Sequence, residues 1–316
     1  MISLKPFKAV RPTRDKAYLV ATRSYLSYGP EILHNKLSHN PYTFLHIINP
    51  EKGMKLRPGK KRYKYVREAY DQFLEDGILI TDPRPAYYLY RQVKDGNEYL
   101  GIIAGVSVND YLEGRIKKHE KTLTARERMF TDYLESTGFN AEPVLLTYPE
   151  DLKINKLLAR YIDERSEYEF TSTDRVLHQL WVIDNEEDCK QITKVFRSQE
   201  ALYIADGHHR CSSSALLNER LNPDGKESAT DYFMAFLIGE EHMRVYDFNR
   251  LVKLREKDVS TAKLLTALRE NFLVEPVKGI AFKPEKLHEI SMYFRKKWYK
   301  LVPKTGAFDP QHPVGH

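Results

Sequence analysis

One stretch of the chain limits its fold more than any other. Residues 200–205 (EALYIA) read as a strand, and they run straight into Asp206-Gly207-His208-His209-Arg210. Residues 211–221 (CSSSALLNERL) then read as a helix. A strand turning through one glycine into a helix needs both a sheet and a helical layer, so the class is α/β or α+β. Gly207 lets the backbone turn tightly and approach a ligand. The helix behind it offers free N–H groups and a positive dipole end, which suit phosphate oxygens. Arg210 can give a phosphate two parallel hydrogen bonds. His208 or His209 can donate as well, or shuttle a proton. Asp206 can hold Mg²⁺ or orient a neighbouring histidine. Ser212, Ser213 and Ser214 add hydroxyls in the first turn. The plain alternative is a polar helix cap, although two histidines, an arginine and an aspartate around one glycine exceed what a cap needs.

The remaining pattern alternates strands and helices. Residues 24–39 form an amphipathic segment, and 42–48 (YTFLHII) read as a strand. Residues 63–77 place Val66, Tyr70, Phe73 and Leu74 at helical spacing and stop at Gly77. Residues 86–93 and 99–108 read as paired strands around Lys94-Asp95-Gly96-Asn97, a hairpin signal. Thr124 and Glu127 fit a capping box at the start of a helix whose stripe is Met129, Phe130, Tyr133 and Leu134, closed by Gly138. Residues 143–148, 176–183 and 232–238 read as core strands. Helical spacing returns over 261–272 and 284–298, and the tail 308–316 is expected to fray.

Size and composition bound the function. At roughly 150 residues per domain, 316 residues suggest about two domains. No run approaches the ~20 apolar residues of a membrane span, and the N-terminus has no hydrophobic signal core. Two cysteines, Cys189 and Cys211, exclude a disulfide framework and lack zinc spacing. The plain reading is a cytoplasmic protein. A net charge of +6 favours anionic partners, but it makes a nucleic-acid surface only if clustered. The richest basic cluster, 55–64, reads as a solvated loop because it contains Pro58 and Gly59. No convincing basic recognition helix accompanies it, so nucleic acid is a disfavoured partner.

A second polar stretch, Arg115-Ile116-Lys117-Lys118-His119-Glu120-Lys121-Thr122, precedes the helix at 124. A carboxylate among so many bases stays ionised and can act as a general base. Taken alone, the stretch reads first as a charged, solvated loop. It is not a zincin motif, since no second histidine follows four residues after His119. His178 reads as a satisfied core histidine, Cys211 as a buried small residue rather than a thiolate, and Tyr87-Tyr88-Leu89-Tyr90 as packing.

Several of these segments together resemble a known family. Lys5-Pro6-Phe7-Lys8-Ala9, Asn40-Pro41, residues 110–122, His178-Gln179-Leu180-Trp181, residues 203–210 and Asn249-Arg250 resemble the domain-of-unknown-function-1015 family up to about residue 255. Members usually run on past the point where this chain stops, so a truncated or divergent C-terminus is expected. The family is sometimes labelled ParB-like. Its Asp-Gly-His-His-Arg segment is similar to the phosphate turn of the ParB/sulfiredoxin superfamily, and more closely to that of the archaeal free serine kinase. That enzyme shows the same order as His119-Glu120, the strand at Pro143, and Asp206 to Arg210 here. This chain differs by a longer insertion between the Pro143 strand and Asp206, and by an extra N-terminal region.

The resemblance implies a mixed-sheet, ParB/sulfiredoxin-like core. It would occupy residues 109–255, with an N-terminal α/β region over 1–108 and a C-terminal helical region over 256–316. It implies Glu120 as catalytic base, grouped with His119, Asp206 and His209. Gly207, His208, His209 and Arg210 would hold nucleotide phosphates, aided by Ser212 and Ser213, with Mg²⁺ on Asp206. The expected function is a phosphotransferase using ATP or ADP on a small hydroxyl metabolite, free L-serine being one candidate. The alternative is a ParB-like nucleotide- or nucleic-acid-binding module without kinase activity. No membrane partner is expected.

Overall fold

The Lys94-Asp95-Gly96-Asn97 signal closes the hairpin on which the fold is built. Asp95 and Gly96 both lie at positive φ, 50° and 76°. A two-residue turn of this kind matches the right-handed twist of the strands it joins. Those strands are long, Tyr87–Lys94 and Asn97–Ser107.

The computed structural model describes residues 1–49, 59–246, 249–253, 259–279 and 281–308. It divides into two compact units, Met1–Arg244 and Val245–His316. The first unit begins with β1 (Leu4–Lys5), β2 (Val10–Pro12), α1 (Ala17–Val20), α2 (Pro30–His39), α3 (Leu45–Ile48) and α4 (Lys60–Glu75). It continues with β3 (Leu79–Thr81), β4 (Tyr87–Lys94), β5 (Asn97–Ser107), α5 (Val108–Leu112), β6 (Ile116–Lys117), α6 (Thr124–Thr137) and β7 (Val144–Tyr148). Then come α7 (Leu152–Ile162), β8 (Tyr168–Thr171), β9 (Leu177–Ile183), α8 (Glu186–Arg197), β10 (Leu202–Asp206), α9 (His208–Leu221) and β11 (Tyr232–Gly239). The second unit holds α10 (Thr261–Asn271), β12 (Phe272–Val277), β13 (Ile290–Phe294) and β14 (Lys297–Pro303).

In the first unit the main sheet runs β6-β10-β7-β11-β5-β4-β9-β8, with β1 also on β5. The pairs β6/β10 and β7/β11 are parallel; the others are antiparallel. The expected α/β or α+β class with a mixed sheet is therefore what forms. Strands from both sides of residue 108 share this sheet, so no structural boundary falls there. One face buries Leu89, Ile102, Leu146, Phe233 and Ile204 under side chains of α5, α7, α8 and α9. Burying a side chain the size of Phe196 contributes about 1.5–3 kcal/mol. A smaller core joins Ile47, Val66, Tyr70 and Phe73, and Tyr70 stacks on Phe139 at 4.3 Å.

Several segments differ from the pattern reading. Residues 42–48 are a turn followed by α3, not a strand. Asn40 Oδ1 accepts the Tyr42 N–H and Thr43 Oγ1 the Leu45 N–H, and such local bonds start a helical turn. Residues 60–64 of the basic cluster begin α4 rather than a loop; residues 55–58 lie outside the described ones. No side chain caps α6: Leu123 is its N-cap, and Glu127 accepts from the Thr122 hydroxyl instead of completing a box with Thr124. Residues 284–298 are not helical. They run into β13 and β14, joined at Arg295 and Lys296 with φ of 47° and 63°. The region expected to be helical over 256–316 thus pairs one described helix with the three-stranded sheet β12-β14-β13. Of the tail, residues 309–316 lie outside the described residues. Helices α7 and α8, capped by the side chains of Asp151 and Asn185, are absent from the pattern reading. No described helix is long and apolar enough to cross a membrane.

Candidate functional site

Two short parallel strands bring the two polar segments together. Ile116 and Lys117 of β6 pair with Leu202 and Tyr203 of β10, so both strands run toward the same end of the sheet. Beyond their carboxyl ends lie residues 118–120 and 206–210, a location where ligands commonly settle in α/β folds. The entry to β6 is pinned from below. Asp110, only 1% exposed, accepts from Arg115 Nε at 2.7 Å and from the Ser3 N–H at 2.7 Å. Lys118 Nζ sits 3.7 Å from the centre of the Tyr111 ring, which fixes the following turn.

Gly207 occupies the left-handed region, with φ 101° and ψ 30°, and it is the N-cap of α9. It supplies no capping side chain. The N–H groups of His208 and His209 have no earlier turn to bond to, so they are available to an acceptor. An added Cβ at Gly207 would stand 3.1 Å from Arg210 Nε. Arg210 folds back over the glycine. Its Nη2 lies 2.5 Å from Asp206 Oδ2, its Nη1 donates to the Pro143 carbonyl, and Glu142 Oε2 is 3.8 Å away. One guanidinium thereby ties the end of β10, the start of α9 and the entry to β7. This ion pair occupies most of what Arg210 could offer a phosphate.

His208 is the buried member of the site, 5% exposed. Its Nε2 accepts the His119 backbone N–H at 3.3 Å, and its ring meets the His119 ring edge-on at 4.3 Å. A backbone N–H only donates, so Nε2 is the unprotonated nitrogen and Nδ1 carries the proton. That proton faces Glu120, whose Oε2 is 3.7 Å from Nδ1. Burial pushes the His208 pKa down, and the neighbouring His119 and His209 add to this. Glu120 and Asp206 pull it up and do not outweigh burial. His209 Nδ1 is buried with no hydrogen-bond partner among the described residues.

The sequence-derived residues are thus assembled unevenly. His119, Glu120 and His208 meet, and Asp206 pairs with Arg210. The hydroxyls of Ser212 and Ser213 donate to the His209 carbonyl, at 3.2 and 2.7 Å, and so are committed to their own helix. Cys211 is fully buried and its thiol is pushed up to about 12, so it is no thiolate. His178 is satisfied by Tyr90 Oη at 2.7 Å and Ser172 Oγ at 3.2 Å. Among the described residues no group of three His, Cys, Asp or Glu side chains is placed to hold a metal ion. The His208–Glu120 contact was not legible in the sequence, since it depends on a two-residue parallel strand. The only local signal was the β-branched Ile116 after the charged Arg115.

Comparison with curated proteins and with solved structures returned no match. The family comparison did, and its span, residues 4–314, takes in both compact units and extends well beyond residue 255. The chain belongs to the family described as Protein of unknown function (DUF1015).

Proposed function

We propose that the chain is a nucleotide-dependent phosphotransferase acting on a small hydroxyl metabolite, with free L-serine the first acceptor to try. One observation carries the reading: parallel β6 and β10 deliver Glu120 and His208, 3.7 Å apart, beside an uncapped helix start at Gly207. The residues fit a phosphate. Two helix-start N–H groups are unclaimed, Gly207 leaves no Cβ in the way, and a buried His209 Nδ1 lacks a partner. Glu120, 59% exposed, accepts the acceptor hydroxyl proton, and the neutral His208, its Nδ1 3.7 Å away, stands beside Glu120 without hydrogen-bonding to it. Arg210 acts chiefly by fixing the turn through Asp206 and Pro143. Mg²⁺ fits less directly. One oxygen of Asp206 is taken by Arg210, so the ion would be held mainly by the ATP or ADP phosphates, with the other Asp206 oxygen beside it. Bound there, Mg²⁺ would offset phosphate charge during transfer.

Calorimetric titration with ATP and ADP, with and without Mg²⁺, tests it. Wild type is expected to bind at least one nucleotide and Arg210→Ala to lose it, because the turn opens. Glu120→Gln is expected to keep binding and lose turnover in an acceptor screen. No heat from wild type under any of the four conditions would end the phosphotransferase reading. Nucleotide binding with no turnover for any acceptor would instead support a binding-only module, which the commitment of Arg210 to Asp206 favours. Steeply salt-dependent DNA affinity would identify that module as one for nucleic acid.

A further inference from the structure

The face of the main sheet turned away from α5, α7, α8 and α9 carries a cleft of about 710 Å³. Small-molecule sites commonly span ~300–1,000 Å³ and have mostly apolar walls. Its floor comes from alternate residues of three strands, Tyr90 of β4, Ile103 and Gly105 of β5, and Met234 of β11. Gly105 lets β1 and Tyr232 pack close against it, since a Cβ there would meet Lys5 O at 3.2 Å and Tyr232 Cβ at 3.4 Å. The strap Phe7–Pro12 forms one side, held to the chain at residues 78–86 by main-chain bonds such as Phe7 N–H to Ala86 O and Asp82 N–H to Ala9 O. None of residues 118–120 or 206–213 lines the cleft.

The polar groups of the lining are mostly spent, and that selects the ligand. Phe170, His178 and Tyr90 run ring by ring across β8, β9 and β4, with neighbouring planes 27° and 16° apart. Both His178 nitrogens are hydrogen-bonded within this ladder and to Ser172. Arg11 is taken by Asp82 at 2.9 Å, Glu167 at 2.9 Å and the Tyr168 hydroxyl at 2.6 Å. Lys8 has no hydrogen-bond or ion-pair partner among the described residues, and no described Asp or Glu lines the cleft. What remains is a flat aromatic enclosure with one uncompensated positive charge at its rim.

We propose that this cleft is a binding site for a flat aromatic carboxylate, its ring system against the Phe170–His178–Tyr90 ladder and its carboxylate at Lys8. The site is separate from the Gly207 turn and does not depend on the phosphotransferase reading. The test is a fluorescence titration of the full chain with anilinonaphthalene sulfonate, an aromatic anion, followed by competition. Saturable binding at one equivalent is expected, displaced by naphthoate and not by the uncharged naphthalene methanol. Lys8→Glu, an exposed substitution that should leave folding intact, is expected to weaken binding several-fold. Met234→Trp, which fills the floor, is expected to abolish it, with near-ultraviolet circular dichroism verifying the fold of each variant. Absence of saturable binding, equal competition by naphthoate and the alcohol, or indifference to both substitutions would overturn the proposal. Displacement of the probe by ATP would overturn it as well, by giving the cleft to the nucleotide.

Discussion

The two faces of the main sheet are made from the same strands and end differently. On one, Leu89, Ile102, Leu146 and Phe233 are sealed beneath four helices. On the other, neighbouring residues of the same strands, Tyr90, Ile103 and Met234, open onto the cleft. Alternation along a strand sends successive side chains to opposite faces, so β4, β5 and β11 each serve both purposes at once. The sealed face carries the stability, which leaves the cleft face free to hold space.

The largest effect belongs to the sealed face. Phe196→Ala should cost about 3–5 kcal/mol in urea unfolding, because the side chain is fully buried and its neighbours cannot collapse into the void. Met234→Ala on the cleft face should cost less than half of that, since the cleft already admits solvent. Equal losses would break the comparison. Next comes the pin beneath the polar site. Asp110→Ala strands the Ser3 N–H and Arg115, and should cost about 1–3 kcal/mol while lowering turnover through misplacement of Glu120. Gly207→Ala should cost about 1–3 kcal/mol, because φ 101° strains any L side chain, and it should also displace Arg210 and reduce nucleotide binding.

A pH series sharpens the contrast further. Burial holds both His178 and His208 below the ordinary histidine range. Each therefore binds a proton more readily in the unfolded chain, so stability should fall as pH drops below about 6.5. His178→Gln and His208→Gln should each flatten that slope in urea midpoints measured between about pH 5 and 8. A slope unchanged in both variants would move its origin to other groups. The smallest effect is at Lys8. Lys8→Glu should alter stability by no more than about 0.5 kcal/mol, as expected of an exposed side chain.

What the sequence disclosed follows how local each signal is. The Asp95-Gly96 hairpin, α4 with its Gly77 stop, and the passage from β10 through Gly207 into α9 are each contained within about a dozen residues. Their turn chemistry is unambiguous. Residues 284–298 misled because Ile290, Tyr293 and Trp298 suit a helix or a strand equally. The turn between β13 and β14 is made by Arg295 and Lys296 without a glycine or asparagine to announce it. The candidate site was half legible. Asp206 to Arg210 stood out by composition, but the approach of His208 to Glu120 depends on β6, which is two residues long. The cleft left no sequence trace, because its walls come from segments between residue 7 and residue 234.

The lengths of the terminal strands in the main sheet have a consequence for crowded solutions. The sheet order ends at β6, with two residues, and at β8, with four. A rim of that size presents few unpaired amides to a second chain, so strand-by-strand growth into fibrils finds little template there. The short β6 thus does double service: its pairing with β10 sets Glu120 beside the Gly207 turn, and its brevity keeps a nine-stranded sheet from recruiting its neighbours.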